Sequence, residues 1–281
     1  MQITINGQIV SLDLKKNLLH EGRFGLTFCT SLENGKKIII KQYRPKKNDH
    51  EFERKRFKRQ AEIAKQLYPE INAGSIEIED QLFYYHDFIE GNSLNFPLKK
   101  EIRKNKEETL VLVLKEILRL HQLNYIHTDI KPSNFIVRNK EVFILDFGSC
   151  IQVGEKVPHD YIIPFTMIYA PPEMIVNHYE ICNFSSDLYM WGLLAFQILS
   201  KTLPFSHCNP VMLIHQQLNS KPPYHYVKDK KWENIIQKAT EKVMFPKPPH
   251  FYKKEQIDTI LIKGIEKRYQ TAYELLKELS E

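Results

Sequence analysis

His127-Thr128-Asp129-Ile130-Lys131-Pro132-Ser133-Asn134, followed by Asp146-Phe147-Gly148, is the stretch that decides the reading. Asp129 and Asn134 stand five residues apart on one proline-containing loop. Two short apolar runs, 135–137 and 142–145, read as strands, so the second aspartate closes the later strand. Two carboxylates and an amide supply the oxygen atoms that a hard divalent cation prefers. A carboxylate can orient a hydroxyl nucleophile, and Lys131 can neutralise charge on a group in transit. Phosphoryl transfer asks for little else from a protein.

Toward the N-terminus the texture is that of strands. Runs 3–5 and 8–10 flank Asn6-Gly7, a strong two-residue hairpin signal. Runs 26–32 and 36–43 flank Asn34-Gly35, and the β-branched Lys37-Ile38-Ile39-Ile40-Lys41 predicts a buried strand. Residues 49–67 predict a helix with Phe52, Phe57, Ile63 and Leu67 inward, stopped by Pro69. Residues 76–78 and 82–88 return to strand character. Beyond Gly91, residues 107–123 carry apolar side chains at helical spacing, and from Pro171 onward the chain reads as helices cut by prolines. A β-rich front and an α-rich back predict two lobes around a cleft, where ligand sites tend to lie.

Composition excludes several classes. The chain has 281 residues, 42% hydrophobic and 26% charged, which is ordinary for a globular domain. Its formal charge is 40 − 34 = +6. That mild excess suits phosphates without identifying one. Arg44, Lys46, Lys47, Arg54, Lys55, Arg56, Lys58 and Arg59 cluster, and read as a solvated helix face with its flanking loop. Without interleaved aromatics they give no case for nucleic acid. Cys29, Cys150, Cys182 and Cys208 form no CxxC, so neither a metal site nor a disulfide framework is expected. The first residues lack a signal-peptide pattern, and no apolar run approaches the ~18 residues of a membrane span. The expectation is a cytoplasmic protein, or one delivered to a cytosol, with no membrane partner.

The motifs together resemble the eukaryotic-type (Hanks-type) serine/threonine protein kinase catalytic domain, bacterial members included. The catalytic loop and the Asp-Phe-Gly segment carry the resemblance first. Leu19-His20-Glu21-Gly22-Arg23-Phe24-Gly25 resembles the glycine-rich loop, and Ile38-Ile39-Ile40-Lys41 the strand that ends in the ATP-binding lysine. Residues 84–94 resemble the hinge. Tyr169-Ala170-Pro171-Pro172-Glu173 resembles the end of an activation segment. Asp187 matches the buried aspartate of a later helix, and Arg268 the arginine that pairs with the activation-segment glutamate, here Glu173. Their order runs over nearly the whole chain.

The resemblance implies an α+β, bilobal kinase fold over 1–281, with an N-lobe at 1–86, a hinge at 87–91 and a C-lobe at 92–281. It implies ATP and Mg²⁺ as ligands and a protein as substrate. Lys41 would hold the α- and β-phosphates, and Gly22 and Gly25 would let the backbone approach them, with Phe24 at the loop tip. The Asp87 carbonyl and Ile89 amide would meet adenine, with His86 as gatekeeper. Asn134 and Asp146 would bind the metal. Asp129 would orient the hydroxyl, Lys131 would act on the γ-phosphate, and Thr166 would hydrogen-bond the catalytic loop. His127 is read as structural.

Three positions depart from the family pattern. His20 replaces the first glycine of the loop. Gln60 stands where a helix glutamate normally pairs with the strand lysine, and Glu62, about 200° further round the helix, cannot substitute. Thr128 replaces the arginine that grips a phosphorylated activation loop in many relatives, so activation-loop phosphorylation is not expected to be required, and a regulatory partner could set activity instead. The first two departures also fit a pseudokinase that binds nucleotide as a scaffold. Small-molecule kinases share the two aspartates but lack Lys131 and the Pro171-Pro172-Glu173 end, which favour a protein substrate.

Overall fold

A computed structural model describes residues 2–22, 25–44, 51–158 and 161–281. The loop-tip pair Arg23 and Phe24, the basic residues Lys46 and Lys47, and Asp49 at the expected helix start lie outside these described residues. The chain divides into two compact units, Met1–Glu90 with Asp146–Gly148, and Gly91–Leu145 with Ser149–Glu281. The first unit runs past residue 86 and takes in a segment from the middle of the chain.

The first unit opens with the hairpin β1 (Gln2–Ile5) and β2 (Gln8–Ser11). Asn6 and Gly7 both have positive φ, 50° and 78°, which suits the twist of a two-residue turn. Five strands follow: β3 (Leu18–Gly22), β4 (Gly25–Ser31), β5 (Lys37–Tyr43), β6 (Ala73–Ile78) and β7 (Gln81–Asp87). They form one antiparallel sheet in the order β3-β4-β5-β7-β6. Ile3, Ile5 and Val10 of the hairpin share a core with Phe28, Ile38 and Phe83 of the sheet. Helix α1 (Glu51–Leu67) packs against β6 and β7. Phe57, Ile63 and Leu67 point inward as expected, and Phe52 is half-buried. Arg56 and Arg59 are also buried, at 1% and 6% exposure, which corrects the reading of the basic cluster as a solvated face. Helical spacing puts Arg56 on the same face as Gln60 and Ile63.

The second unit begins with the short β8 (Asn92–Ser93), α2 (Lys100–Lys104), α3 (Lys106–Gln122) and β9 (Tyr125–Ile126). The hairpin β10 (Phe135–Arg138) and β11 (Glu141–Ile144) carries β8 along its edge, and β12 (Ile151–Gln152) pairs with β9. Helices α4 (Pro172–Ile175), α5 (Phe184–Ser200), α6 (Pro210–Asn219), α7 (Lys230–Ala239), α8 (Lys254–Ile265) and α9 (Ala272–Ser280) complete it. The central helix, α5, is apolar nearly all round and packs against α3 and α7, as a helix buried on every side should. Asn183 caps it, accepting from the Ser185 amide at 2.8 Å. None of the helices among the described residues is long and apolar enough to cross a membrane.

Candidate active site

In the second unit the catalytic-loop residues converge on one carboxylate. Asp129 lies 2.6 Å from the Lys131 ammonium and accepts from the Thr166 amide at 2.9 Å. Lys131 also donates to the Thr166 hydroxyl at 3.0 Å. Asn134 donates its amide to the Asp129 carbonyl at 2.8 Å, which leaves its side-chain oxygen as the acceptor face. Asp129, Lys131, Asn134 and Thr166 therefore form one cluster, drawn from a loop and from the segment before α4.

Asp187 holds this loop from beneath. Its carboxylate accepts the His127 amide at 2.7 Å, the Thr128 amide at 2.9 Å and the His121 ring at 2.9 Å. Thr128 has φ +64°, an unfavourable value for a β-branched residue, so the two amide bonds to Asp187 hold a strained turn. The Thr128 hydroxyl donates to the Ser149 carbonyl at 2.7 Å. His127 keeps a structural place, its Nε2 bonding the Leu145 carbonyl at 3.0 Å. Arg268 grips Glu173 through two nitrogens, at 2.7 and 3.2 Å, with both side chains sealed from solvent. Between Gly148 and Glu173, Tyr161 and Ile163 are buried while Ile162 is exposed. Burial pushes the Tyr169 phenol up to about 12, and the nearby Asp129 charge adds to the rise.

The first unit gathers the other candidates. Lys41 on β5 donates to Asp146 at 2.7 Å. Lys41 and Asp146 line a small hollow together with Tyr43, Glu53, Phe57, Gln60 and Gly148. Gln60 enters this hollow but bonds neither charge: its amide nitrogen turns back to the Phe57 carbonyl at 3.3 Å. Its side-chain oxygen is buried with no hydrogen-bond partner among the described residues. Glu62 is exposed, as its position round the helix requires.

At the end of β7, Asp87 accepts from the Lys36 ammonium at 2.7 Å and from the Asn72 amide at 2.9 Å. Packing around the His86 ring, with the Lys41 charge adding to it, lowers its pKa to about 4. A neutral ring donates from only one nitrogen, and His86 Nδ1 lies 2.8 Å from the Asp87 carbonyl. The carbonyl expected to meet adenine therefore already receives one donor. Ile89 is buried.

Gly22 and Gly25 face each other across the β3–β4 pair. Gly25 has φ +141°, and a Cβ there would lie 1.8 Å from the Gln42 carbonyl oxygen. Glycine is obligatory at 25 because the neighbouring strand is so close, a constraint separate from any phosphate. The His20 ring lies against Gly22, 3.4 Å from where a Cβ would stand. The sequence reading missed Arg56, which donates to the Gly148 carbonyl at 2.9 Å. Its only signal was its register with Ile63 and Leu67.

The fold and the two clusters define a protein kinase domain. The family model for the protein kinase domain matches residues 14–279, and the chain belongs to that family. Its curated relatives include serine/threonine-protein kinase PrkC of Bacillus subtilis, 29% identical over 217 residues, covering 70% of this chain and 32% of the relative. Serine/threonine-protein kinase PknF of Mycobacterium tuberculosis is 28% identical over 185 residues, 60% of this chain and 38% of its own. Serine/threonine-protein kinase PknA of a Nostoc species is 27% identical over 209 residues, 66% and 36%. The chain thus spans about a third of the length of these relatives.

Proposed function

We propose that this chain transfers the γ-phosphate of ATP to serine or threonine hydroxyls of another protein. The observation that carries the reading is the cluster in which the Asp129 carboxylate is met by Lys131 and Thr166. Asp129 is placed to accept a hydrogen bond from an incoming hydroxyl and orient it. Lys131 supplies positive charge for the group in transit, and a preorganised charge there needs no reorganisation as the reaction proceeds. Thr166 fixes both, through its amide and its hydroxyl.

In this reading Lys41 binds the α- and β-phosphates, and Gly22 and Gly25 allow close backbone approach. The Asp87 carbonyl and Ile89 amide receive the adenine. Asp146 and Asn134 suit Mg²⁺, since each offers a side-chain oxygen and the Asp146 carboxylate is half-exposed. When bound, Mg²⁺ screens the phosphate charges. Before that, Lys41 is the counterion of Asp146, and nucleotide binding would separate the pair.

The names of the serine/threonine-protein kinase relatives support a phosphotransferase acting on serine and threonine. They favour activity over the pseudokinase alternative, as do the intact Lys41, Asp129, Asn134 and Asp146. We place the protein in a cytosol-like compartment, in line with its free cysteines Cys29, Cys150, Cys182 and Cys208. Activation-loop phosphorylation is not required in this reading, because Thr128 carries no charge to hold a phosphate. The test is transfer of radiolabel from ATP with Mg²⁺ to a generic basic protein, with phosphoamino-acid analysis of the product. Labelled phosphoserine or phosphothreonine supports the reading. Nucleotide binding with no transfer across a panel of protein substrates would favour the scaffold.

A further inference from the structure

Helix α1 presents an unusual set of side chains to the Asp146–Gly148 segment. Gln60 lies against it, since a Cβ added at Gly148 would meet the Gln60 amide at 3.5 Å. Yet the hydrogen bond that Gln60 donates among the described residues goes back to the Phe57 carbonyl of its own helix, not to the segment. Arg56, one helical turn earlier on the same face, donates from Nη2 to the Gly148 carbonyl at 2.9 Å. The guanidinium is 1% exposed and lies 5.6 Å from the Phe52 ring. A buried cation is costly unless hydrogen-bonded, and a charged donor makes a stronger bond than a neutral amide. Asp146 itself has φ +61°, a left-handed conformation that needs support from its surroundings.

We infer that Arg56 is a positioning residue for Asp146. It ties α1 to the carbonyl two residues after the aspartate, and so holds the backbone from which the carboxylate projects. A charged main-chain tether thus joins this helix to the segment, where the family pattern would have a helix glutamate facing Lys41. The inference rests on the reading of Asp146 as a metal ligand.

The test uses the full chain without nucleotide or metal. Hydrogen exchange is followed by mass spectrometry in a peptide covering 144–150, beside a control peptide from α5. Arg56→Met should raise exchange in 144–150 by about tenfold, the worth of one charge-assisted bond, with the α5 peptide unchanged. The Mg²⁺ concentration for half-maximal transfer should rise, while KM for the protein substrate holds. Arg56→Lys, which keeps a charged donor, should recover most of the protection. If Arg56→Met does not fold, Arg56→Gln decides: selective loosening of 144–150 supports the tie, and wild-type exchange there overturns it. Wild-type exchange in a folded Arg56→Met overturns it equally. Asp146→Asn separates the two readings. Full Mg²⁺-dependent transfer by that variant would remove the metal role of Asp146, while the exchange result judges the tie by itself.

Discussion

Lys41 and Asp146, far apart in sequence, meet at 2.7 Å in the first unit, and the amide of Gln60 stays out of the pair. The lysine has found a counterion in the very carboxylate proposed to bind metal. Asp146→Asn should therefore cost twice, removing a metal ligand and releasing Lys41. Asp129→Asn removes the group proposed to orient the hydroxyl. Each should lower transfer by at least roughly 10²–10³, the cost of one preorganised electrostatic contact, and Asp146→Asn by the more. Radiolabel transfer measures this, and wild-type turnover by either variant would refute the site assignment.

Gln60→Glu tests the helix register. The Gln60 side-chain oxygen is buried beside Lys41 and Asp146, with no hydrogen-bond partner among the described residues. A carboxylate there would give Lys41 a second acceptor and free Asp146. Transfer should hold or rise, and adding Lys41→Ala should erase it. A sharp fall in kcat/KM for ATP would mean that Lys41 needs Asp146 as its sole acceptor.

Phosphatase treatment should leave the enzyme active. The hydroxyl of Thr128 is spent on the Ser149 carbonyl, and Arg138, a cation that could have stood in for the missing arginine, pairs with Glu141 at 3.0 Å and lies over the Phe143 ring. The segment is instead anchored by the buried Tyr161 and Ile163. Initial rates should be unchanged once mass spectrometry finds no phosphate on residues 146–173. A large drop that recovers on preincubation with ATP would contradict this.

Arg268→Met should destabilise the second unit. It strands the Glu173 carboxylate in a site with no exposure, and breaking a buried pair from one side costs about 3–5 kcal/mol. Chemical denaturation should show the loss. A midpoint equal to wild type would mean that the Ser186 hydroxyl, 2.8 Å from Glu173, suffices alone.

Lys242 predicts a pH dependence. Burial, and then the nearby Arg268 charge, lower its pKa to about 7, while its ammonium donates to the neutral Gln217 carbonyl and Tyr189 hydroxyl. The folded pKa is below the unfolded one, so the unfolded chain binds the extra proton between about pH 7 and the ordinary lysine range. Stability should therefore rise with pH across that window, by up to about 1.4 kcal/mol per unit from this group. Lys242→Met should flatten that part of the profile. A slope that survives the substitution would show that another group carries it.

Short-range chemistry made much of the fold legible. Asn-Gly pairs mark turns because their backbones accept positive φ, and both predicted hairpins form around them. Apolar spacing marks α3 and α1 because a helix must bury one stripe. The catalytic loop was readable because its residues lie within a few positions of one another, so their order alone carries the geometry. Arg268 and Glu173 were paired from the sequence only through the family resemblance.

What only the tertiary structure decided is which charge meets which. Hydropathy marks Arg56 as a surface residue, yet α1 turns it inward, where a carbonyl 92 positions later receives it. Lys41 and Asp146 are 105 positions apart, and nothing local to either names the other as partner. The strained backbone of Thr128 likewise depends on Asp187, 59 positions on, to accept its amide. Such pairs form because a desolvated charge or amide must find a partner wherever the packed chain offers one. Packing brings those partners together from segments that are remote in sequence, so residue spacing carries no record of them.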